Sequence, residues 1–200
     1  SELFQRHGLK IFGPSKNASR IEGSKIWSND LMVKYAIPTA DSVAFSESTK
    51  AIDYALARPE GSLVVKADGP AAGKGVLLPD TYEDLEIAVR GMLDGASFGE
   101  SSSSLLLAER MSGPEVSVFA FLDGETVSAE IAACDYKRIG EGDTGLNTGG
   151  VGAYAPPEFW TNELAARVRM EILEPTARAL VAENSAYSGV LYVGLMITSS

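Results

Sequence analysis

The spacing of apolar and polar positions changes several times along this chain, and each change marks a predicted element. Leu63-Val64-Val65 is a short apolar run of strand type, and Val76-Leu77-Leu78 is the next one. Thr81 to Leu93 places Leu85, Val89 and Met92-Leu93 on one helical face, with Asp80 as the candidate cap. Leu105-Leu106-Leu107-Ala108-Glu109 reads as a buried strand. After the linker Arg110 to Pro114, Val116 to Leu122 is a strand turning at Asp123-Gly124, a strong hairpin signal, and Thr126 to Ala133 returns. Glu158 to Glu183 is predicted helical, with a stripe at Leu164, Val168, Ile172 and Leu180 and a kink at Pro175. Ser188 to Thr198 is apolar enough to predict a strand in the middle of a sheet.

Towards the start the periods are shorter. Residues 1–8 read as the tail of a helix stopped by Gly8, followed by a short strand at Leu9-Lys10-Ile11-Phe12. Ser15 is a candidate N-cap for one helix reaching about Tyr35, its apolar face being Ile21, Ile26 and Met32-Val33. Pro38 marks a boundary. Ser42 to Phe45 then alternates as a strand, and Ser46 to Ala57 reads as a helix. Ser97 to Ser104, small and polar, predicts a mobile loop. Cys134 to Pro157 predicts a long irregular segment, uncommon unless it has a function.

The chemistry concentrates between the two short strands at 63–65 and 76–78. Lys66-Ala67-Asp68-Gly69-Pro70-Ala71-Ala72-Gly73-Lys74-Gly75 holds three glycines, which accept the φ > 0 conformations that let backbone N–H groups converge on an anion. Lys66 and Lys74 bracket that nest, a combination suited to a polyphosphate. Alone, the same letters also fit a glycine-rich turn with two solvated lysines. A P-loop is excluded: Gly69 and Gly73 are separated by three residues rather than four, Gly75 stands where Ser or Thr is needed, and no helix follows. The dinucleotide pattern G-x-G-x-x-G is absent. In the predicted irregular segment, Asp135, Lys137, Arg138, Glu141 and Asp143 precede Asn147-Thr148-Gly149-Gly150. Composition allows a disordered surface loop there, but Tyr136, Tyr154, Phe159 and Trp160 supply packing anchors.

Composition narrows the function classes. The 200 residues are 45% hydrophobic and 22% charged, a globular balance. A net charge of −10 argues against non-specific binding to nucleic acid or anionic membranes. One cysteine, Cys134, excludes an internal disulfide and fits a reducing compartment. The sequence has no charged-then-apolar leader and no run of 18 apolar residues, so a cytoplasmic location is expected. His7 lies far from every motif.

The run Val64-Val65-Lys66-Ala67-Asp68-Gly69 … Ala71-Ala72-Gly73-Lys74-Gly75-Val76 resembles the glycine loop of ATP-grasp ligases, in wording most that of the phosphoribosylamine–glycine ligase (glycinamide ribonucleotide synthetase) family. Phe12-Gly13-Pro14-Ser15-Lys16, Glu22-Gly23-Ser24-Lys25, Asp135-Tyr136-Lys137-Arg138, Asp143-Thr144-Gly145-Leu146-Asn147-Thr148-Gly149-Gly150-Val151-Gly152-Ala153-Tyr154 and Gly189 to Met196 agree, in the family's order. The resemblance implies an α+β ATP-grasp fold, incomplete here, with a small lid subdomain over a mainly antiparallel sheet with helices. The implied divisions are a leading segment 1–44, a lid 45–112 with the glycine loop, and a truncated central subdomain 113–200.

The implied reaction joins glycine to 5-phosphoribosylamine with ATP, through glycyl phosphate, in purine biosynthesis. Lys66, Lys74 and Arg138 would be catalytic, and Lys25, Lys66, Gly73, Lys74 and Gly75 would face the nucleotide phosphates. Backbone near Ala108 and Met111 would pair with the base, and Glu115 would take the ribose hydroxyls. The family usually carries two glutamates where this chain has Ala108-Glu109, which removes any side-chain contact from position 108. Asp135, Lys137, Arg138, Asn147, Thr148, Gly149 and Gly150 would line the substrate pocket. The family's ligands for Mg²⁺ (or Mn²⁺) would lie beyond Ser200, so none is expected in this chain, and the fragment is expected to be inactive alone. No nucleic acid, no membrane and a monomeric full-length enzyme are expected. Two alternatives remain: an ATP-grasp ligase for another carboxylate, and a non-catalytic ATP-binding module.

Overall fold

The computed structural model describes residues 2–70, 75–95, 103–142 and 144–198, with backbone alone for Gln5 and Asn147. They form two compact units, Ser19–Met111 and the combination of Ser1–Ala18 with Ser112–Ser200. No break follows residue 44, because residues 19–44 pack with 45–111.

Helix α1 (Glu2–Arg6) is followed by Gly8 at φ +67°, the left-handed stop that the glycine predicts. The strand expected at Leu9–Phe12 does not form: the segment finds no ladder partner among the described residues. Ser15 Oγ accepts from Ala18 N at 3.1 Å, but this closes a turn and starts no helix: the first helix begins only at Arg20, with Ser19 at its N-cap position, and the single helix predicted to Tyr35 is two. Helix α2 (Arg20–Gly23) ends where Ser24 turns extended, at φ −141° and ψ 114°. Helix α3 (Lys25–Lys34) restarts with Ser24 Oγ accepting from Trp27 N. Gly-Ser is thus a stop followed by a new cap.

In the Ser19–Met111 unit, β1 (Ser42–Phe45), α4 (Ser48–Leu56), β2 (Leu63–Ala67), β3 (Val76–Leu77), α5 (Tyr82–Leu93) and β4 (Leu105–Glu109) follow. The sheet order is β1-β4-β2-β3, antiparallel throughout. Because strand side chains alternate, Leu63, Val65, Ala67, Leu105 and Leu107 all face one side. They form a core there with Ala51, Ile52 and Ala55 of α4 and Leu85, Ala88, Val89 and Met92 of α5. Val64, Lys66, Leu106 and Ala108 are left for the other side. The cap of α5 is Thr81 rather than Asp80: Thr81 Oγ1 accepts from Asp84 N at 3.1 Å, while Asp80 pairs with Arg110 at 2.7 Å. The loop predicted over 97–104 lies outside the described residues for 97–102.

The other unit holds β5 (Glu115–Asp123), β6 (Thr126–Val127), β7 (Ile131–Asp135), β8 (Arg138–Gly140), β9 (Thr144–Asn147) and β10 (Ala153–Tyr154). Helix α6 (Asn162–Val168), a π turn over Arg169–Leu173, helix α7 (Glu174–Ala182) and β11 (Ser188–Met196) complete it. Its main sheet runs β10-β7-β5-β11, with β6 beside β5. Three expectations are corrected. The return strand is broken between β6 and β7, where Ser128 Oγ, not a ladder carbonyl, accepts from Phe121 N. The irregular segment contains the β8–β9 hairpin and β10. And β11 pairs with β5 alone, so among the described residues it is an edge strand. Its two faces also differ in exposure: Leu191 is 3% exposed and Tyr192 53%.

Proline 175 acts through the π turn that immediately precedes it, where the helical ladder changes register and the missing N–H is absorbed. The extra residue also moves the stripe. Spacing of three and four predicts Ile172 inside, but Leu173, five after Val168, is the residue fully buried.

Gly113 sits at φ +150°, and a Cβ there would overlap the Ile197 carbonyl oxygen. Gly113→Ala is therefore expected to destabilise this unit by about 2–3 kcal/mol, through strain and backbone displacement together. Urea unfolding followed by circular dichroism checks this; an unchanged midpoint would contradict the geometry.

Candidate functional site

The face of the first sheet turned away from its helical core carries the candidate site. Across β1, β4, β2 and β3 the register aligns Ala44, Leu106, Lys66 and Val76, with Ser42, Ala108 and Val64 in the adjacent row. Together with α2 and α3 these strands bound a cavity of about 360 Å³, lined among others by Lys25, Lys66, Gly75, Leu106, Ala108 and Ser42. That is the size of a small-ligand site. Its wall is apolar at Leu106, Ala108 and Met32, cationic at Lys25 and Lys66, acidic at Glu22 and polar at Ser28, Asn29 and Thr39. The Ser42 hydroxyl is buried with no protein partner among the described residues, which leaves one hydrogen-bonding group in the wall for a ligand.

Lys66 is placed by strand alternation, since it follows the core residue Val65 and must point away from it. Burial pushes its pKa down, and the nearby Lys25 charge pushes it down further. Two ammonium groups sharing one partly desolvated cavity repel each other, and an anion between them removes that cost. Lys25 lies in the first turn of α3, and its Nζ donates to Gly69 O at 2.8 Å. Gly75 is buried in the same cavity, its carbonyl accepting from Ala67 N at 2.7 Å. Ala108 lines the wall and is 2% exposed, so position 108 presents no carboxylate there. Gly73 and Lys74, in the sequence of the glycine loop, lie outside the described residues. Met111 is not part of the cavity wall.

A second cluster stands in the other unit. Glu115, the first residue of β5, accepts from Lys137 Nζ, and Asp135 Oδ1 is 3.9 Å from the same ammonium. The hydrogen bond to Glu115 chiefly raises the Lys137 pKa, with the charges of Glu115, Asp135 and Tyr192 adding and burial opposing. Thr148 fills a structural position instead of projecting freely. Its hydroxyl donates to Lys137 O at 2.9 Å and accepts from Gly150 N at 3.1 Å. Gly150, at φ +104°, takes a conformation that a side chain disfavours, and it is exposed beside Gly149. Arg138 begins β8 opposite Asn147, with an exposed side chain and no ion pair among the described residues. The Asn147 side chain lies outside the description. Asp135, Lys137 and Glu115 are thus brought together, whereas Arg138 is not drawn into their ion-pair cluster.

Sequence reasoning missed Asp68. Its Oδ1 accepts from Ser24 Oγ at 2.9 Å and Ile26 N at 2.8 Å, fastening the helix that carries Lys25. The available signal was Gly23-Ser24, a helix restart whose exposed N–H groups need an acceptor. Among the described residues, no group of three acidic, histidine or cysteine side chains is placed to hold a metal ion. Nor is any helix among them long and apolar enough to cross a membrane.

The family described as phosphoribosylglycinamide synthetase, ATP-grasp (A) domain, matches residues 23–200. The phosphoribosylamine–glycine ligase of Haemophilus influenzae is 45% identical over 197 residues, covering 98% of this chain and 46% of that protein. That of Vibrio cholerae is 42% identical over 200 residues, again covering 46% of its length. The chain therefore spans about half the length of the curated relatives it matches. Among solved structures, phosphoribosylamine–glycine ligase from Thermotoga maritima superposes with TM-score 0.86 at 31% identity, covering 94% of this chain and 48% of that one. D-alanyl-alanine synthetase A from Vibrio cholerae, at TM-score 0.71 and 18% identity over 99% of this chain and 58% of its own, shares the fold alone. The mixed helical and antiparallel architecture is that of the α+β ATP-grasp enzymes, and the chain belongs to the phosphoribosylglycinamide synthetase ATP-grasp (A) domain family.

Proposed function

We propose that this chain carries the nucleotide-gripping part of an ATP-dependent ligase of purine biosynthesis. The reaction joins glycine to 5-phosphoribosylamine, giving glycinamide ribonucleotide, ADP and phosphate. The observation that carries the reading is the lysine pair, Lys25 and Lys66, in one cavity that also has an apolar stretch at Met32, Leu106 and Ala108. ATP supplies the leaving group: the glycine carboxylate attacks the γ-phosphorus as ADP departs, and the amine then attacks the acyl carbon as phosphate departs.

This chain's own residues position and neutralise charge, which is most of what phosphoryl transfer asks of a protein. Lys66 and Lys25 hold phosphate oxygens, with Lys74 and the backbone of Gly73 and Gly75 closing the loop over them. The apolar wall at Leu106 and Ala108 accepts the base. Glu115 serves the ribose hydroxyls, with Met111 backbone at the base edge. Lys137, Arg138, Asp135, Asn147, Thr148, Gly149 and Gly150 serve the two smaller substrates; Thr148 does so by fixing the Lys137 backbone. The divalent ion that the family resemblance implies finds no cluster of three suitable side chains among the described residues, and no step is assigned to it. A cytoplasmic, monomeric enzyme is part of the same reading.

The wording of Asp143 to Tyr154 favours glycine over another carboxylate. ATP titrated into this chain is expected to give a one-site isotherm, with adenosine binding far more weakly; a flat isotherm sinks the reading. In a polypeptide of the relatives' full length, ADP release is expected to require both glycine and 5-phosphoribosylamine. Equal release with D-alanine would favour a different ligase.

A further inference from the structure

We infer that Asp68 is a positioning residue that sets the spacing of the Lys25–Lys66 ammonium pair. The inference rests on the nucleotide reading for its functional meaning, but its geometry stands by itself. Asp68 follows β2 directly, two residues after Lys66. Its carbonyl accepts from Lys25 N at 3.1 Å, and its carboxylate oxygen accepts from the residues on either side of Lys25, Ser24 Oγ at 2.9 Å and Ile26 N at 2.8 Å. Its own N–H donates to Ser104 O at 3.2 Å, beside the start of β4. One residue thus ties the first turn of α3 to the strand that carries the other lysine. Lys25 Nζ completes the clamp by donating to Gly69 O, the next residue along.

Such a clamp has work to do because like charges push helix and strand apart. Nothing else among the described residues ties the Lys25 turn to the end of β2 by hydrogen bonds. Both side-chain bonds use a single acceptor oxygen, Oδ1, and neither requires a negative charge. An asparagine oxygen can take both.

That property separates positioning from charge. In Asp68→Ala the ATP dissociation constant is expected to rise roughly tenfold, as for loss of two half-buried hydrogen bonds to a charged acceptor, partly expressed in binding. Asp68→Asn is expected to stay within about threefold of wild type, and Ser24→Ala to fall between. A titration of the Lys66 ammonium by NMR without nucleotide gives a second readout. Release of Lys25 from its place is expected to move that titration up towards an ordinary lysine in Asp68→Ala and to leave it unmoved in Asp68→Asn. An Asp68→Asn variant as weak as Asp68→Ala would overturn the inference, as would an unmoved titration in Asp68→Ala. Should Asp68→Ala not fold, Ser24→Ala decides: unchanged ATP affinity together with an unmoved Lys66 titration overturns the inference. Wild-type chain that fails to bind ATP while the titrations move as described refutes the nucleotide reading and leaves the clamp standing.

Discussion

Lys66→Ala is expected to weaken ATP binding by this chain by about two orders of magnitude, the scale of a charge-assisted hydrogen bond lost in a partly desolvated site. Calorimetric titration measures it, and Lys66→Met, which keeps the apolar stem, is expected to be nearly as weak. A loss of less than about threefold would remove Lys66 from the phosphate site. The same residue predicts a pH dependence. Its pKa in the folded chain lies below the usual 10.5, because burial and Lys25 disfavour the charged form. Between the lowered value and 10.5 the unfolded chain therefore binds more protons at this position than the folded chain does. The contribution of Lys66 to stability thus rises with pH across that window, the reverse of an ion-paired lysine. A bound phosphate favours the ammonium, so ATP affinity is expected to fall as pH rises through the lowered pKa. In that range binding takes up protons, and titrations in buffers of different ionisation enthalpy reveal it.

The other large effect concerns the opposite face of the same sheet. Leu107 is fully buried within the core between the sheet and helices α4 and α5. Leu107→Ala leaves a cavity that packed neighbours cannot fill, and is expected to cost about 3 kcal/mol of stability. Chemical denaturation measures it. Because Leu107 points away from the lysines, the ATP dissociation constant of the folded fraction is expected to stay within about twofold of wild type, a difference under half a kcal/mol. Loss of binding without loss of stability would mean that the two faces have been assigned the wrong way round.

Local pattern carried much of this fold because a short apolar run marks a strand by itself. Residues 63 to 65 and 105 to 109 read as buried strands without help from the rest of the chain, but which face meets the helices is set by the sheet register and by α4 and α5. The lysines at 25 and 66 were legible from motif wording, and the cavity brings both into one wall. Long-range competition was not legible. Asp80 looks like the cap of α5 until Arg110, thirty residues on, takes its carboxylate and leaves Thr81 to cap. Ser15 to Tyr35 reads as one helix because nothing near it says that Asp68 will accept the N–H groups of a second start. Ile172 reads as buried at a period of 3.6, but the π turn ahead of Pro175 widens the spacing and buries Leu173 instead. Of Asp135, Lys137 and Glu115, the letters indicated roles but not their mutual ion pairing, which depends on β5 and β7 lying side by side.

The widened turn before Pro175 has a partner elsewhere. Arg169 reaches five residues forward to Glu174 at 2.9 Å, a span that an ordinary helical turn does not favour. Its remaining nitrogens donate to Val127 O and Ser128 O, each at 2.9 Å, where the return strand is interrupted. Two irregularities, forty residues apart in sequence, are thus matched like a mortise and its tenon. Excising one residue to regularise the helix would swing the guanidinium aside and orphan both carbonyls, so any insertion or deletion in one of these places needs its complement in the other.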